Sequence, residues 1–238
     1  KQVLPQVKGV VLSDYGSGTI TDKLLGQIFA YCQEHNIPTI VDSRYDILRF
    51  KTVDYIKQND AELSAAIGRD LATEEGLVQG GCELLVKMSA KGALITRGED
   101  GMSLFQIISP QEAADYLKSQ EASGSGEAGQ FREGLTVKLV VKRQTGRLSV
   151  VQELISYQDR DILVSHIPVT DKSEVYDVSG AGDTCVATVI LGLAAGLEPL
   201  LACQLSNEAS GIAVRKMGTS VVYARELEAR FRQLGYEA

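Results

Sequence analysis

One ten-residue stretch, VYDVSGAGDT at 175–184, holds the densest chemistry in this chain of 238 residues. Gly180, Ala181 and Gly182 stand between Asp177 and Asp183, directly ahead of an apolar helical pattern. Residues this small let a ligand approach the backbone closely. The first N–H groups of a helix lack internal partners and, with the helix dipole, favour an anion. A carboxylate at Asp183, in the first turn, can accept a proton from a group held at the loop. Anion cradle and base together suit phosphoryl transfer, where positioning and charge neutralisation do most of the work. A plainer reading fits the same residues: a tight turn in which Asp183 only favours the helix N-terminus. The Walker pattern GxxxxGK[ST] is absent.

The elements that must position this loop can be read from periodicity. Residues 9–12, the IPTIVDS run, VDYIKQN and GALIT are short apolar strands. Helices lie between them: residues 21–36, capped by Thr21; a short one over 60–68; and a longer one that Thr73 caps and that ends near Ser89. Short buried strands alternating with amphipathic helices predict a parallel α/β sheet with its functional loops at the C-terminal strand ends. GMSLFQII reads as a strand or half-hairpin. Residues 119–134, rich in Gly, Ser and Glu, read as a mobile loop. Two β-rich runs flank Thr145-Gly146, a hairpin signal. The expectation is therefore one α/β domain over 1–238 carrying an inserted β-rich flap at 107–165. Beyond Gly182, Val186, Val189, Ile190 and Leu193 recur at helical spacing. Gly196 ends that helix, Pro199 opens the next, GTSVV reads as a final strand and 226–234 as a closing helix.

Composition excludes several classes. Formal charge is −7, so there is no electrostatic footprint for general nucleic-acid binding. No apolar run approaches membrane-spanning length, and no signal peptide is read at the start, so no membrane partner and a cytoplasmic location are expected. Cys32, Cys82, Cys185 and Cys203 form no CxxC pair and read as reduced thiols in helices. His35 and His166 have no partner at ligand spacing, which argues against a His-based triad or zinc site.

The stretch DVSGAGDT and the helix after it resemble the C-terminal signature of the ribokinase-like (PfkB) carbohydrate kinases. Further stretches follow in that family's order. VVLSDYGSGTIT and IPTIVDSRYD are similar to segments of bacterial D-glycero-β-D-manno-heptose-7-phosphate kinases. QNDAEL carries N-x-x-E as Asn59 and Glu62. ITRGEDGM carries T-x-G-x-x-G as Thr96, Gly98 and Gly101. LSNEASGIAVRKMGTS is similar to the adenine-side helix and the loop after it. The resemblance implies a ribokinase-like, Rossmann-like parallel sheet with helices on both faces. It also implies an ATP-dependent kinase that phosphorylates a hydroxyl of a sugar or sugar phosphate and releases ADP.

The same resemblance implies roles. Asp183 would be the base, with the Gly180, Ala181, Gly182 and Asp183 amides as the anion hole. Asn59 and Glu62 would help hold Mg²⁺; otherwise they are a helix cap and an exposed acid. Thr96, Gly98 and Gly101 would contact the nucleotide or else form a hairpin turn. Asn207 would line the adenine pocket. Asp177, with backbone near Ser179 and Gly218, would hold a monovalent cation such as K⁺, or else is a turn aspartate. Asp14 stands near the sugar or phosphates, or in an Asx turn. Arg44 would offer a cation to phosphate.

The sequence departs from the pattern at Ser43-Arg44, where those kinases carry proline-lysine, and at Gln58, where proline usually precedes the asparagine. The region 107–165 is longer than the family needs. The resemblance also implies that an N-terminal part of the family fold, with most sugar contacts and a lid through which copies pair as a homodimer, precedes what is seen here. A non-catalytic nucleotide-binding pseudokinase, regulatory subunit or fragment is the alternative reading.

Overall fold

The computed structural model describes residues 3–123, 126–128, 131–132, 134–145, 148–172 and 175–235. The first half alternates as its periodicity predicts. β1 (Val10–Asp14), α1 (Asp22–Glu34), β2 (Thr39–Ser43), β3 (Tyr55–Asn59), α2 (Asp60–Ile67), α3 (Glu74–Met88) and β4 (Gly92–Thr96) follow one another, and β1 to β4 pair side by side in parallel. Thr21 and Thr73 cap α1 and α3, accepting from the amides of Leu24 (3.3 Å) and Gly76 (3.0 Å).

The parallel run stops at β5 (Met102–Ile108), which turns back on β4 as a hairpin. α4 (Pro110–Ser123) follows, then the two-residue strands β6 (Glu127–Ala128) and β7 (Phe131–Arg132), β8 (Leu135–Thr145), β9 (Leu148–Tyr157) and β10 (Arg160–Ile167). Among the described residues one ten-stranded sheet results, ordered β1-β2-β3-β4-β5-β10-β9-β8-β6 with β7 on β8. Residues 107–165 therefore continue the sheet antiparallel beyond β5. Thr145 pairs with Leu148 across the expected hairpin, whose Gly146 lies outside the described residues.

Two sequence expectations change. The loop expected over 119–134 begins as helix, because α4 runs to Ser123; residues 124–125, 129–130 and 133 lie outside the described residues. Ser109 and Glu112 cap α4 reciprocally: the Ser109 amide donates to Glu112 Oε2 (2.7 Å) and the Glu112 amide to Ser109 Oγ (3.2 Å). Ala113 is the helix's one buried apolar residue, so the apolar periodicity was too weak to reveal it. GTSVV is not a strand. The Gly218 amide turns to the Asp177 side chain (3.0 Å), and the Val221 carbonyl accepts from Lys216 Nζ (2.7 Å), so no ladder forms there.

The last helices are α5 (Ala181–Ala194), α6 (Pro199–Ala213) and α7 (Ala224–Gln233). Alternate residues of the sheet face opposite cores. Val41, Ile56, Ala93 and Phe105 pack with α1, α2 and α3; Ile40, Leu94 and Leu104 pack with α5 and α6. Burial on both faces is why these strands read as continuous apolar runs. The four cysteines are free and buried in α1, α3, α5 and α6. Among the described residues no helix is long and apolar enough to cross a membrane.

Candidate active site

The parallel strands end at Asp14, Ser43, Asn59 and Thr96, and the 175–184 loop meets α5 at this same rim. Gly180 is the N-cap of α5 and holds φ +77°, a left-handed conformation that glycine adopts without steric cost. The Ala181 amide donates to the Val178 carbonyl (3.2 Å). The amides of Gly182 and Asp183 then head the open first turn, which suits an anion. Asp183 is exposed, and the Tyr15 hydroxyl donates to its Oδ1 at 3.4 Å.

Lys57, which the motif reading passed over, lies directly against this turn. A Cβ added at Gly182 would lie 3.0 Å from Lys57 Nζ. The ammonium is almost fully buried and pairs with Asp42 Oδ2 at 3.0 Å. Burial pushes the Asp42 carboxyl above the usual range; Lys57 pulls it down, while Glu62 and Asp183 push it up. Burial would lower Lys57, but Asp42 and then Glu62 overcome that and hold its value up. One lysine is thus held by Asp42, with Glu62 close enough to support its charge, beneath the glycine turn. The signal available in sequence was a lysine inside a short strand, YIKQN, between two apolar strands.

Asn59 and Glu62 face each other. Asn59 is the N-cap of α2 and its Oδ1 accepts from the Glu62 amide (2.7 Å), while Glu62 Oε2 accepts from the Asn59 amide (2.8 Å). This capping box realises the cap reading. Among the described residues no group of three or more His, Cys, Asp or Glu is arranged to hold a metal ion. Asp14 is buried: Oδ1 accepts from the Gly16 amide (3.1 Å) and Oδ2 from Ser43 Oγ (3.0 Å), an Asx turn tied to the next strand. Arg44 is exposed, with its guanidinium 5.7 Å from the Tyr45 ring centre.

A cleft of about 430 Å³ opens on the other side of the glycine turn. Ala181, Gly182, Thr96, Gly98, Gly101 and Asn207 all line it; of the residues expected to hold the nucleotide, Arg44 and Gly218 do not. Its walls include Met102, Val169, Val175, Val178 and Val214. Thr96 Oγ1 donates to the Gln58 carbonyl (3.4 Å), and Asn207 Nδ2 to the Pro168 carbonyl (2.8 Å). Gly101 holds φ +86°, and a Cβ there would run into the Ile167 carbonyl oxygen. Burial pushes the Cys185 thiol up, which disfavours its thiolate. Sequence reasoning assigned no role to Thr170, Glu208, Arg215 and Arg230, which also line the cleft.

Asp177 and Gly218 meet outside the cleft lining. Asp177 Oδ1 accepts from the Ser179 amide (2.8 Å) and Oδ2 from the Gly218 amide (3.0 Å), and those backbone bonds hold its carboxyl below the usual range. Asp14, Arg44, Asn59, Glu62 and Asp183 also lie outside the cleft lining. The site thus divides in two: a mostly apolar slot that ends at the glycine turn, and a charged rim beyond it.

The pfkB family carbohydrate kinase profile matches residues 1–120 and 154–224. Relatives named Bifunctional protein HldE include one from Rhodospirillum rubrum, 30% identical over 228 residues that make up 95% of this chain and 35% of the relative. Another, from Hyphomonas neptunium, is 31% identical over 97% of this chain and 37% of its own length. The chain thus spans about a third of these curated relatives. Among solved structures, ribokinase from Arabidopsis thaliana complexed with ribose and ATP superposes with a TM-score of 0.62 at 16% identity, over 99% of this chain and 58% of that one. Phosphofructokinase-2 from Escherichia coli in complex with potassium superposes at 0.60 and 16% identity, over 99% and 60%. Those likenesses establish the ribokinase-like fold, and the matched profile, which covers well over half of the sequence, places this chain in the pfkB family of carbohydrate kinases.

Proposed function

We propose that this chain carries the nucleotide-binding and phosphoryl-transfer part of an ATP-dependent sugar kinase whose acceptor is a sugar or sugar phosphate similar to heptose 7-phosphate. The observation that carries the reading is the placement of the glycine turn. Gly182 lines the end of the 430 Å³ cleft, has the Lys57 ammonium against it, and is followed at once by the exposed Asp183. A nucleotide base fits the apolar walls, and its phosphates then point at the amides that head α5.

In this reading the acceptor hydroxyl attacks the γ-phosphorus as its proton passes to Asp183. The bond from the γ-phosphorus to the bridging oxygen breaks, and ADP leaves. The Gly182 and Asp183 amides and Lys57 meet the charge that develops on the transferring group. Tyr15 orients the Asp183 carboxylate from the acceptor side. Thr96, Gly98 and Asn207 hold the nucleotide, and Gly101 shapes the turn beside it. Arg44, exposed beyond Asp14, offers a cation to a phosphate of ATP or of the acceptor.

Mg²⁺ usually keeps several waters and takes one or two protein ligands beside substrate phosphates. Asn59 and Glu62 fit that modest demand, because only one oxygen of Glu62 is engaged in the capping box. Bound there, the ion would neutralise phosphate charge. A K⁺ ion would lie against Asp177, whose oxygens each keep a lone pair beyond the N–H they accept.

The test is Mg²⁺-dependent ADP release from ATP with a panel of sugars and sugar phosphates. Asp183→Asn lowers kcat by roughly 10²- to 10⁴-fold and leaves ADP binding intact. Wild-type turnover in that variant would refute the assignment of the base. ADP binding with no ADP release from any acceptor would instead favour a non-catalytic nucleotide-binding module.

A further inference from the structure

The cleft lining also carries a polar latch whose side chains were assigned no role by the motif reading. Arg230, on α7, donates through Nε to Glu208 Oε2 (2.7 Å) and through Nη2 to Thr170 Oγ1 (2.7 Å). Thr170 Oγ1 donates in turn to Glu208 Oε1 (2.7 Å), so the three side chains close a ring. Arg230 Nη1 also lies 3.7 Å from Asp171 Oδ2, which Arg215 holds at 2.9 Å. Glu208 is 3% exposed, so this is a desolvated, fully partnered carboxylate. All five residues line the cleft.

The latch fixes one segment of chain. Residues 168–171 are pinned at three points: the Pro168 carbonyl by Asn207, Thr170 by Glu208 and Arg230, and Asp171 by Arg215 and Arg230. Of these four anchors, Asn207 and Glu208 come from α6, Arg215 follows it, and Arg230 comes from α7. No residue of α7 is fully buried; Leu227 and Phe231 are half-buried, so the Arg230 bonds add to a modest apolar seat. An Arg fork with two carboxylates in reach is a directional joint, and a lysine cannot reproduce it.

We infer that Arg230 is a positioning residue for nucleotide affinity: through Glu208 and Thr170 it holds the 169–171 wall in the place from which it packs on the nucleotide base. The inference rests on the proposed nucleotide-binding reading of the cleft. Loss of the fork widens the slot without touching Asp183 or the glycine turn, so it weakens nucleotide binding more than turnover.

Calorimetry with ADP tests this on the full chain, with Arg230→Lys, Arg230→Met and the double variant Arg230→Met/Glu208→Met. Arg230→Met weakens ADP about ten- to a hundredfold, and Arg230→Lys recovers only part of the loss. The ATP KM rises in step, whereas kcat at saturating ATP falls much less. The double variant removes both buried charges, so it folds even if Arg230→Met does not, and it still binds ADP at least about tenfold more weakly. Wild-type ADP affinity in the double variant, or an equal fall in kcat and in ADP affinity, overturns the inference and leaves the kinase reading standing. Absence of ADP binding by the wild-type chain overturns both.

Discussion

Replacing Lys57 by Met removes the cation beneath the glycine turn while preserving the length of the side chain. Lys57 is 7% exposed and its partner Asp42 17%, at 3.0 Å. Breaking a buried ion pair from one side costs about 3–5 kcal/mol, because the remaining charge stays desolvated and alone. Asp42 keeps some exposure, so the expected loss in Lys57→Met lies near the low end, about 3 kcal/mol at pH 8. The sign with pH follows from Asp42. Burial already raises its carboxyl, and loss of Lys57 removes the main influence that lowers it. A raised folded-state value means that stability is fully present below the unfolded value of about 3.9 and is lost as pH rises through the folded value. The deficit of Lys57→Met is therefore small near pH 4 and full at pH 8. Urea unfolding at both pH values measures it. The double variant Lys57→Met/Asp42→Leu, in which neither charge remains, recovers most of the loss. A deficit under about 1 kcal/mol at pH 8, or the same deficit at both pH values, would refute the reasoning.

Two further outcomes are expected. Gly101→Ala destabilises by about 2–6 kcal/mol, from left-handed strain plus the collision with the Ile167 carbonyl and with Pro168, whose carbonyl carbon would lie 2.9 Å from the new Cβ. Thermal unfolding measures the loss, and ADP affinity falls with it because Gly101 itself and Val169, next to Pro168, line the cleft; an unchanged melting temperature would contradict the packing argument. Asp177 acts in the opposite pH sense to Asp42. Its folded value is lowered by the Ser179 and Gly218 amides, so its contribution is present above about pH 4 and disappears as pH falls through the lowered value. Hydrogen exchange at those two amides should lose protection in that acid window in the wild type, and at all pH values in Asp177→Ala. Protection indifferent to both changes would show that the side chain does not hold the loop.

Much of the fold was legible because its signals are local. Buried parallel strands leave continuous apolar runs, helices leave apolar spacing, and Thr21, Thr73, Gly180 and Pro199 mark helix ends by their own conformational chemistry. The glycine turn and Asp183 were legible for the same reason, since the turn, the helix start and the carboxylate occupy consecutive positions. α4 was not, because it buries a single apolar residue, and Val221-Val222 misled because β-branched residues invite a strand even where no neighbouring strand exists.

The sequence by itself determined which residues could cradle an anion, cap each helix and form each strand, all of which depend on neighbours a few positions away. Tertiary structure alone decided that Lys57 lies under Gly182, 125 positions along the chain, and that Arg230 bonds Thr170 across 60. It also decided that Asp14 serves Ser43, on the neighbouring strand. These pairings are made by the sheet order and by helices packed on its two faces, and no local periodicity records which distant charge a buried charge will meet.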